Sequence, residues 1–391
     1  MHKAIRLPGP LGRLQHTREY AIAKDAIKRL APYRSTGPSP VDDTGRSALL
    51  RLPPRRLDWP EGVPKPSVGL VQDRDDPPYW TKYRRYLEVN HIPYRLYDIH
   101  RSDWRRGAAD LDVVLWRPMS VPSELEECRR KVGLLENVLG VTCYPSLTEA
   151  LVYEDKLLQY ELLDELGFPV VPTFVSYSQS EALAFARSCT YPAVWKIACG
   201  ASSLGVELVR DRRAAERRIR RAFSLAGRRT IWPYEAQKDY VYLQRFQPNA
   251  GYDLRVIVIG DTTLGYHRAV PPGDFRASGM GTTYHRAIPQ GAMLLARRVR
   301  DALGVTALGL DMLADPEERR FAIIEISLFT QIKDAFKLEV DGVSGCYRYE
   351  NGTYSFVPEP VLPHDLVLEE LLTTRWIGRR GTSAVDEHSM A

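Results

Sequence analysis

The sequence predicts an α/β protein in which a parallel-sheet domain precedes a longer region rich in strands. Three observations predict it. Between residues 67 and 145 short apolar strands alternate with helical stretches, the pattern of parallel strands joined by crossover helices. From residue 240 a run of strands follows. The chain has 391 residues, 44% hydrophobic and 26% charged, an ordinary globular composition too long for one simple core.

Each element has its own signal. Residues 1–66 form a basic arm and Pro-rich linker, with one amphipathic helix across Thr17–Ala31 and Pro-dense stretches that favour extended structure. Val68-Gly-Leu-Val71 reads as a buried strand and Trp80–Val89 as a helix. Tyr94–Asp98 and Val113–Trp116 are strands, Glu124–Leu139 a helix and Thr142–Tyr144 a strand, closing a domain at 67–145. One long helix is expected from Ser146 to Gly167, then a strand at Val170–Val175, a helix at Ser178–Cys189 and a strand at Ala193–Ile197. A loop, Ala198–Gly205, runs into the strand Val206–Val209 and the basic helix Arg212–Ala222. Strands follow at Tyr240–Phe246, Asp253–Ile259 and Thr263–Val270. Gln290–Leu303 is a helix, and Leu308–Leu313 and Phe321–Ile326 are strands. Asn351-Gly marks a hairpin, and Asp365–Trp376 is the last helix.

Composition excludes several functions. Positions 1–60 hold 12 basic and 5 acidic residues, so the arm carries +7 of the overall +5 and the remaining body is near −2. A nucleic-acid-binding body is therefore not indicated. The five cysteines, 128, 143, 189, 199 and 346, are scattered and lack CxxC spacing, against a zinc site or a disulfide framework. No apolar run approaches the ~20 residues that cross a bilayer, and no signal-peptide pattern opens the chain. A cytoplasmic protein is expected.

Three groups of residues carry chemistry. Lys196 closes an apolar strand beside the small-residue loop Cys199-Gly-Ala-Ser-Ser-Leu-Gly205. A lysine with loop amides can hold phosphate oxygens, although a plain strand-to-strand turn has the same residues. Asp311 and Glu325 are acids within apolar strands. If those strands pair antiparallel, the two carboxylates suggest a shared cation such as Mg²⁺, the alternative being a buried ion pair with arginine. Arg255, Arg268 and Arg276 offer guanidinium forks to phosphate or carboxylate. His267 and His285 read as surface or packing residues.

In order along the chain, Tyr153-Glu-Asp-Lys156, Gly167-Phe-Pro-Val-Val-Pro-Thr173, Lys196 with its loop, Leu243-Gln-Arg-Phe246, Asp253-Leu-Arg255, Gly273-Asp-Phe-Arg276, Asp311 and Glu325-Ile-Ser327 resemble the ATP-grasp superfamily. The nearest resemblance is to its carboxylate–amine ligases of the ribosomal-protein glutamate ligase type. It covers about 145–329, with the preceding segment fitting a pre-ATP-grasp domain. It implies an α+β ATP-grasp fold with two antiparallel-sheet subdomains, at 146–245 and 246–391. It further implies ATP contacts from Lys156, Lys196, Gly200, Ser202, Ser203, Gly205, Gln244, Arg245 and Phe246. Arg255, Arg276 and Arg268 become the catalytic arginines, and Asp311, Glu325 and Ser327 the Mg²⁺ ligands. Ser327 stands where the family usually has Asn, and Arg245 where the adenine hinge usually has an acid.

The expected reaction is amide formation between a carboxylate and an amine, through an acyl-phosphate with release of ADP and phosphate. A phosphotransferase on the same scaffold, or a nucleotide-binding scaffold with a degenerate site, is the alternative. Substrates are small-molecule or peptide carboxylates and amines, with Lys333, Lys337, Arg348 and Tyr349 as candidate contacts. Neither a membrane nor a nucleic acid is an expected partner, and the arm is a candidate contact for a homo-oligomer.

Overall fold

The computed structural model describes residues 40–379 except 201–202, 204, 233, 248–249, 272, 274, 278–282 and 330–338. The helix expected at Thr17–Ala31, and Ser202, Lys333 and Lys337, lie outside the described residues. The chain forms two compact units, a smaller one from 173–198 and 205–246 and a larger one from 40–172, 199–203 and 247–379.

The larger unit begins with the expected parallel sheet. Its strands are β1 (Val68–Leu70), β2 (Tyr94–Leu96), β3 (Val113–Leu115) and β4 (Thr142–Tyr144), in the order β2-β1-β3-β4. Every pairing is parallel. β1 and β3 are buried throughout, which explains their unbroken apolar sequences. Helices α1 (Trp80–Val89) and α2 (Pro122–Asn137) connect them. Residues 40–66 lie along this unit and are fastened to it. Asp43 pairs with buried Lys82, Arg55 Nε with Glu369 (2.6 Å), and Trp376 Nε1 donates to the Pro64 carbonyl (2.8 Å).

The single helix expected from Ser146 to Gly167 is instead two, α3 (Leu147–Val152) and α4 (Lys156–Glu165). The break has a local cause. Glu154 adopts φ +56°, a left-handed conformation that ends a helix, and the Asp155 side chain caps the next one by accepting from the Leu158 amide (3.1 Å). The apolar periodicity runs through both helices and hides the break.

The smaller unit contains β5 (Thr173–Ser176), helix α5 (Gln179–Ser188), β6 (Ala193–Trp195), β7 (Glu207–Val209), α6 (Arg212–Ala222) and β8 (Val241–Arg245). Its sheet is antiparallel in the order β5-β8-β6-β7. Ala182 and Ala186 of α5 and Ala215 and Ile219 of α6 bury against Trp195, Val209 and Leu243.

The larger unit continues with β9 (Tyr252–Ile259), β10 (Thr262–Ala269), α7 (Gln290–Leu303), β11 (Ala307–Ala314), β12 (Phe321–Ser327), the hairpin β13 (Cys346–Glu350) and β14 (Thr353–Val357), and α8 (Pro363–Leu371). The antiparallel sheet runs β12-β11-β9-β10-β13-β14. Ala292, Ala296, Val299 and Leu303 make one apolar stripe of α7, packed on β9 and β11. The hairpin turns at Asn351 and Gly352, both with positive φ. Among the described residues, no helix is long and apolar enough to cross a membrane.

Candidate active site

Strand pairing builds the charged centre of the larger unit. The β9–β10 register sets Asp253 opposite Arg268, and the β9–β11 register sets Arg255 opposite Asp311. Residues 253 and 255 are two apart, so both project from one face of β9. Arg255 grips Asp311 with both arms of its fork, Nε to Oδ1 at 2.6 Å and Nη2 to Oδ2 at 2.7 Å. Arg268 does the same to Asp253 and lies 2.9 Å from Asp311 Oδ2. Burial alone would raise the Asp311 pKa, but Arg255 and Arg268 hold it well below the usual carboxylate range. Burial prevails at Asp253, which is pushed up to about 6 despite Arg268. Asp311 thus sits in the arginine pairing that the residues alone left open.

Glu325 stands opposite Asp311 on β12, where the ladder slips between Asp311 and Met312. Such bulges re-aim side chains beside functional sites. Glu325 Oε1 is 2.8 Å from Lys156 Nζ, which also donates to the Gly200 carbonyl (2.7 Å). Lys156 is the first residue of α4 and almost wholly buried. Burial opposes its charge, yet Glu325 and Glu154 outweigh burial and hold the ammonium above the ordinary lysine range. Ser327 donates to the Phe329 carbonyl (3.0 Å). Arg276 is half-buried, its guanidinium 5.8 Å from the Phe275 ring centre.

In the smaller unit Lys196 directly follows β6, is buried, and has its ammonium 5.7 Å from the Tyr242 ring centre. Gly205 has φ +75°, and a Cβ there would lie 2.4 Å from the Ile197 side chain. Only glycine fits that approach. Ser203, in the larger unit, is also left-handed at φ +59°. Gln244 is buried and donates to Thr173 Oγ1 (3.1 Å), whereas Arg245 is exposed and Phe246 half-buried.

The larger unit therefore holds two polar groups, Lys156 with Glu325 and Gly200 and the Arg255–Asp311–Arg268–Asp253 set, which meet where Glu325 stands opposite Asp311; the smaller unit carries Lys196, Gly205 and Gln244. Arg348 and Tyr349 serve the sheet. Arg348 donates to Thr262 Oγ1, and the Tyr349 ring lies under Arg297. Neither His267 nor His285 is a surface group. His267 is fully buried and stacked on Tyr284, while His285 is half-buried. Sequence reasoning missed Glu154, whose signal was its place between Tyr153 and the capping Asp155. Among the described residues no group of three or more His, Cys, Asp and Glu gathers to hold a metal.

Paired acids and arginines on an antiparallel sheet are the arrangement that the ATP-grasp resemblance implies. Residues 153–341 match the RimK-like ATP-grasp domain family, and the enzyme is an ATP-dependent carboxylate–amine ligase. The α-aminoadipate–LysW ligase LysX of Sulfurisphaera tokodaii is 28% identical over 255 residues, spanning 63% of this chain and 83% of the relative. The glutamate–LysW ligase ArgX of the same organism is 26% identical over 195 residues, 49% of this chain and 64% of the relative. The structure of the ATP-grasp ligase PsnB complexed with minimal precursor superposes with a TM-score of 0.51 at 16% identity, covering 78% of this chain and 99% of that one.

Proposed function

We propose that the enzyme forms its amide through an acyl-phosphate. A substrate carboxylate oxygen attacks the γ-phosphorus of ATP, the bond to the β-phosphate oxygen breaks, and ADP leaves. An amine then attacks the acyl carbon, inorganic phosphate departs, and the nitrogen loses a proton to give the amide. Lys156 and Lys196 bind phosphate oxygens, with the Gly200–Gly205 loop, Ser202 and Ser203 included, supplying amides. Gln244, Arg245 and Phe246 line the base. Arg255, Arg268 and Arg276 offset charge on the transferring phosphoryl group and the acyl-phosphate. Two opposed carboxylates fit a hard divalent ion that takes its remaining ligands from phosphate and water. Asp311, Glu325 and Ser327 would hold Mg²⁺, which would neutralise phosphate charge. No nucleophilic side chain is needed.

The observation that supports this reading is the pair of ion-paired groups on facing strands, Lys156–Glu325 and Asp311–Arg255–Arg268–Asp253, whose cations an anionic transition state could use. Relatives named for joining α-aminoadipate or glutamate to LysW support an amino acid as one substrate. Scattered free thiols support a reducing cytoplasm. Incubation with ATP, Mg²⁺ and pooled carboxylates and amines tests the route. ADP with an amide product is expected; AMP release would sink it.

A further inference from the structure

A second set of polar groups in the larger unit is not used by the ATP chemistry. The parallel sheet has the order β2-β1-β3-β4, so the chain leaves β1 toward one side and returns to β3 on the other. Ligands of open α/β sheets bind outside the carboxyl ends of the strands at such a switch point. Asp73 and Asp75 follow β1 there, and Arg117 follows β3.

Arg117 is 5% exposed, and its guanidinium lies between 5.0 and 5.6 Å from the ring centres of Tyr79, Tyr153 and Phe329. Its Nη2 is 2.8 Å from Asp75 Oδ2 and its Nη1 donates to the Pro118 carbonyl. A purely structural arginine at this depth would have its remaining N–H satisfied. Here, among the described residues, Arg117 Nε, the Tyr79 hydroxyl, Asp75 Oδ2 and Glu154 Oε2 are all buried without a hydrogen bond; the Arg117–Asp75 approach is close but misaligned. Asp73 does not share this condition, because it caps α1 by accepting from the Tyr79 and Trp80 amides (2.9 and 2.8 Å).

Two short segments link this cluster to the charged centre. Tyr153 and Glu154 lead directly to Lys156, and Phe329 lies four residues beyond Glu325. Glu154 is held at φ +56°, a costly conformation for a residue with a side chain. It feels Lys156, Glu325, Arg117 and Arg255 together.

We propose that Arg117, Tyr79, Asp75 and Glu154 form the subsite that selects the amine substrate, and that this substrate also carries a carboxylate. The inference rests on the ligase reading above. The donor set states the ligand chemistry. The Arg117 and Tyr79 hydrogens are donors for a carboxylate, and the Asp75 and Glu154 oxygens are acceptors for an amine. A ligand with both groups satisfies the three unpartnered atoms and adds a donor to Asp75, which Arg117 alone now faces, whereas a simple anion leaves Glu154 Oε2 bare. Arg117 is a specificity-determining residue that contacts the ligand's carboxylate and not the transferring phosphoryl group.

The test is a calorimetric titration of the full chain, without ATP, against the common L-amino acids one at a time. The α-carboxamide and N-acetyl derivative of each binder form the comparison arms. At least one amino acid is expected to bind, with both derivatives at least tenfold weaker. Arg117→Gln should weaken that amino acid by tenfold or more, with Arg117→Lys recovering part of the loss, while a fluorescent ATP analogue still binds and reports an intact fold. Tyr79→Phe, which removes one oxygen, should weaken it three- to tenfold and guards against misfolding of the arginine variants. Equal binding of acid and carboxamide, unchanged affinity in both Arg117→Gln and Tyr79→Phe, or no binding by any amino acid overturns the proposal. Binding that meets every expectation while no substrate pool yields ADP keeps the subsite and removes the ligase mechanism, so the two failures are distinct.

Discussion

Asp311 and Glu325 stand directly opposite each other on adjacent antiparallel strands, yet each is neutralised by a different cation. Two arginines hold Asp311 and Lys156 holds Glu325. Opposed carboxylates repel unless cations intervene, and Arg255 and Arg268 keep Asp311 ionised before any nucleotide arrives. On the proposed mechanism, phosphate oxygens would exchange for these carboxylates on the same cations.

Lys156 is the most demanding of these partners because it is buried and serves both Glu325 and the Gly200 carbonyl. Lys156→Met keeps the stem and removes the charge. It should lower ADP release by ~10²–10³-fold, the usual effect of deleting one preorganised charge stabiliser. Breaking a buried pair should also destabilise the fold by about 3 kcal/mol. Steady-state kinetics and urea denaturation measure the two effects; wild-type turnover in the variant would remove Lys156 from the site.

Arg255 and Asp311 should behave as one unit, since the fork makes two parallel short hydrogen bonds. In a double-mutant cycle, Arg255→Ala and Asp311→Asn should couple by about 1–3 kcal/mol in stability. Additive effects would mean that Arg268 alone sustains Asp311.

Much of this was readable in advance, for definite reasons. The helices Trp80–Val89, Arg212–Ala222 and Gln290–Leu303 were placed to the residue, because amphipathic spacing ends at clear stop signals. The break at Glu154 was not, because a left-handed glutamate has no compositional signature and the apolar spacing continues across it. Acids inside apolar strands pointed to Asp311 and Glu325, but their choice between metal and arginine depends on strand register, which one strand's sequence does not encode. Arg117 lay in plain view after a buried strand. Its meaning required knowing the strand order.

His267 gives a pH test. It is fully buried on Tyr284, neither ring nitrogen has a hydrogen bond among the described residues, and burial, with Arg286, brings its pKa down to about 4. The unfolded imidazole gains a proton below about 6.5, while the folded one stays neutral until about pH 4. The unfolded state therefore binds more protons in that window, and this residue's contribution is present above pH 6.5 and lost as the pH falls toward 4. At pH 5 the loss is about 2 kcal/mol. His267→Phe should keep that amount relative to wild type between pH 8 and pH 5, measured by urea midpoints at both values. Parallel pH profiles would show that His267 titrates normally.

Ser327 is two residues beyond Glu325, so both project from the same face of β12. Its hydroxyl is committed to the Phe329 carbonyl (3.0 Å). As a neutral metal ligand with one small oxygen it would contribute less to a hard cation than an amide carbonyl, which is a stronger dipole and reaches one bond further. Ser327→Asn should therefore lower the Mg²⁺ concentration for half-maximal ADP release by about threefold, with little change at saturating metal. If Glu325 is a metal ligand, Glu325→Gln removes a charge that would carry most of the affinity and should leave turnover at least ~10²-fold lower even at high Mg²⁺. Magnesium titrations of wild type and both variants at fixed ATP separate these effects. A Glu325→Gln enzyme with an unchanged magnesium curve would move the metal away from Glu325. A Ser327→Asn enzyme needing more magnesium would show that the Ser327–Phe329 bond shapes the strand end rather than the metal.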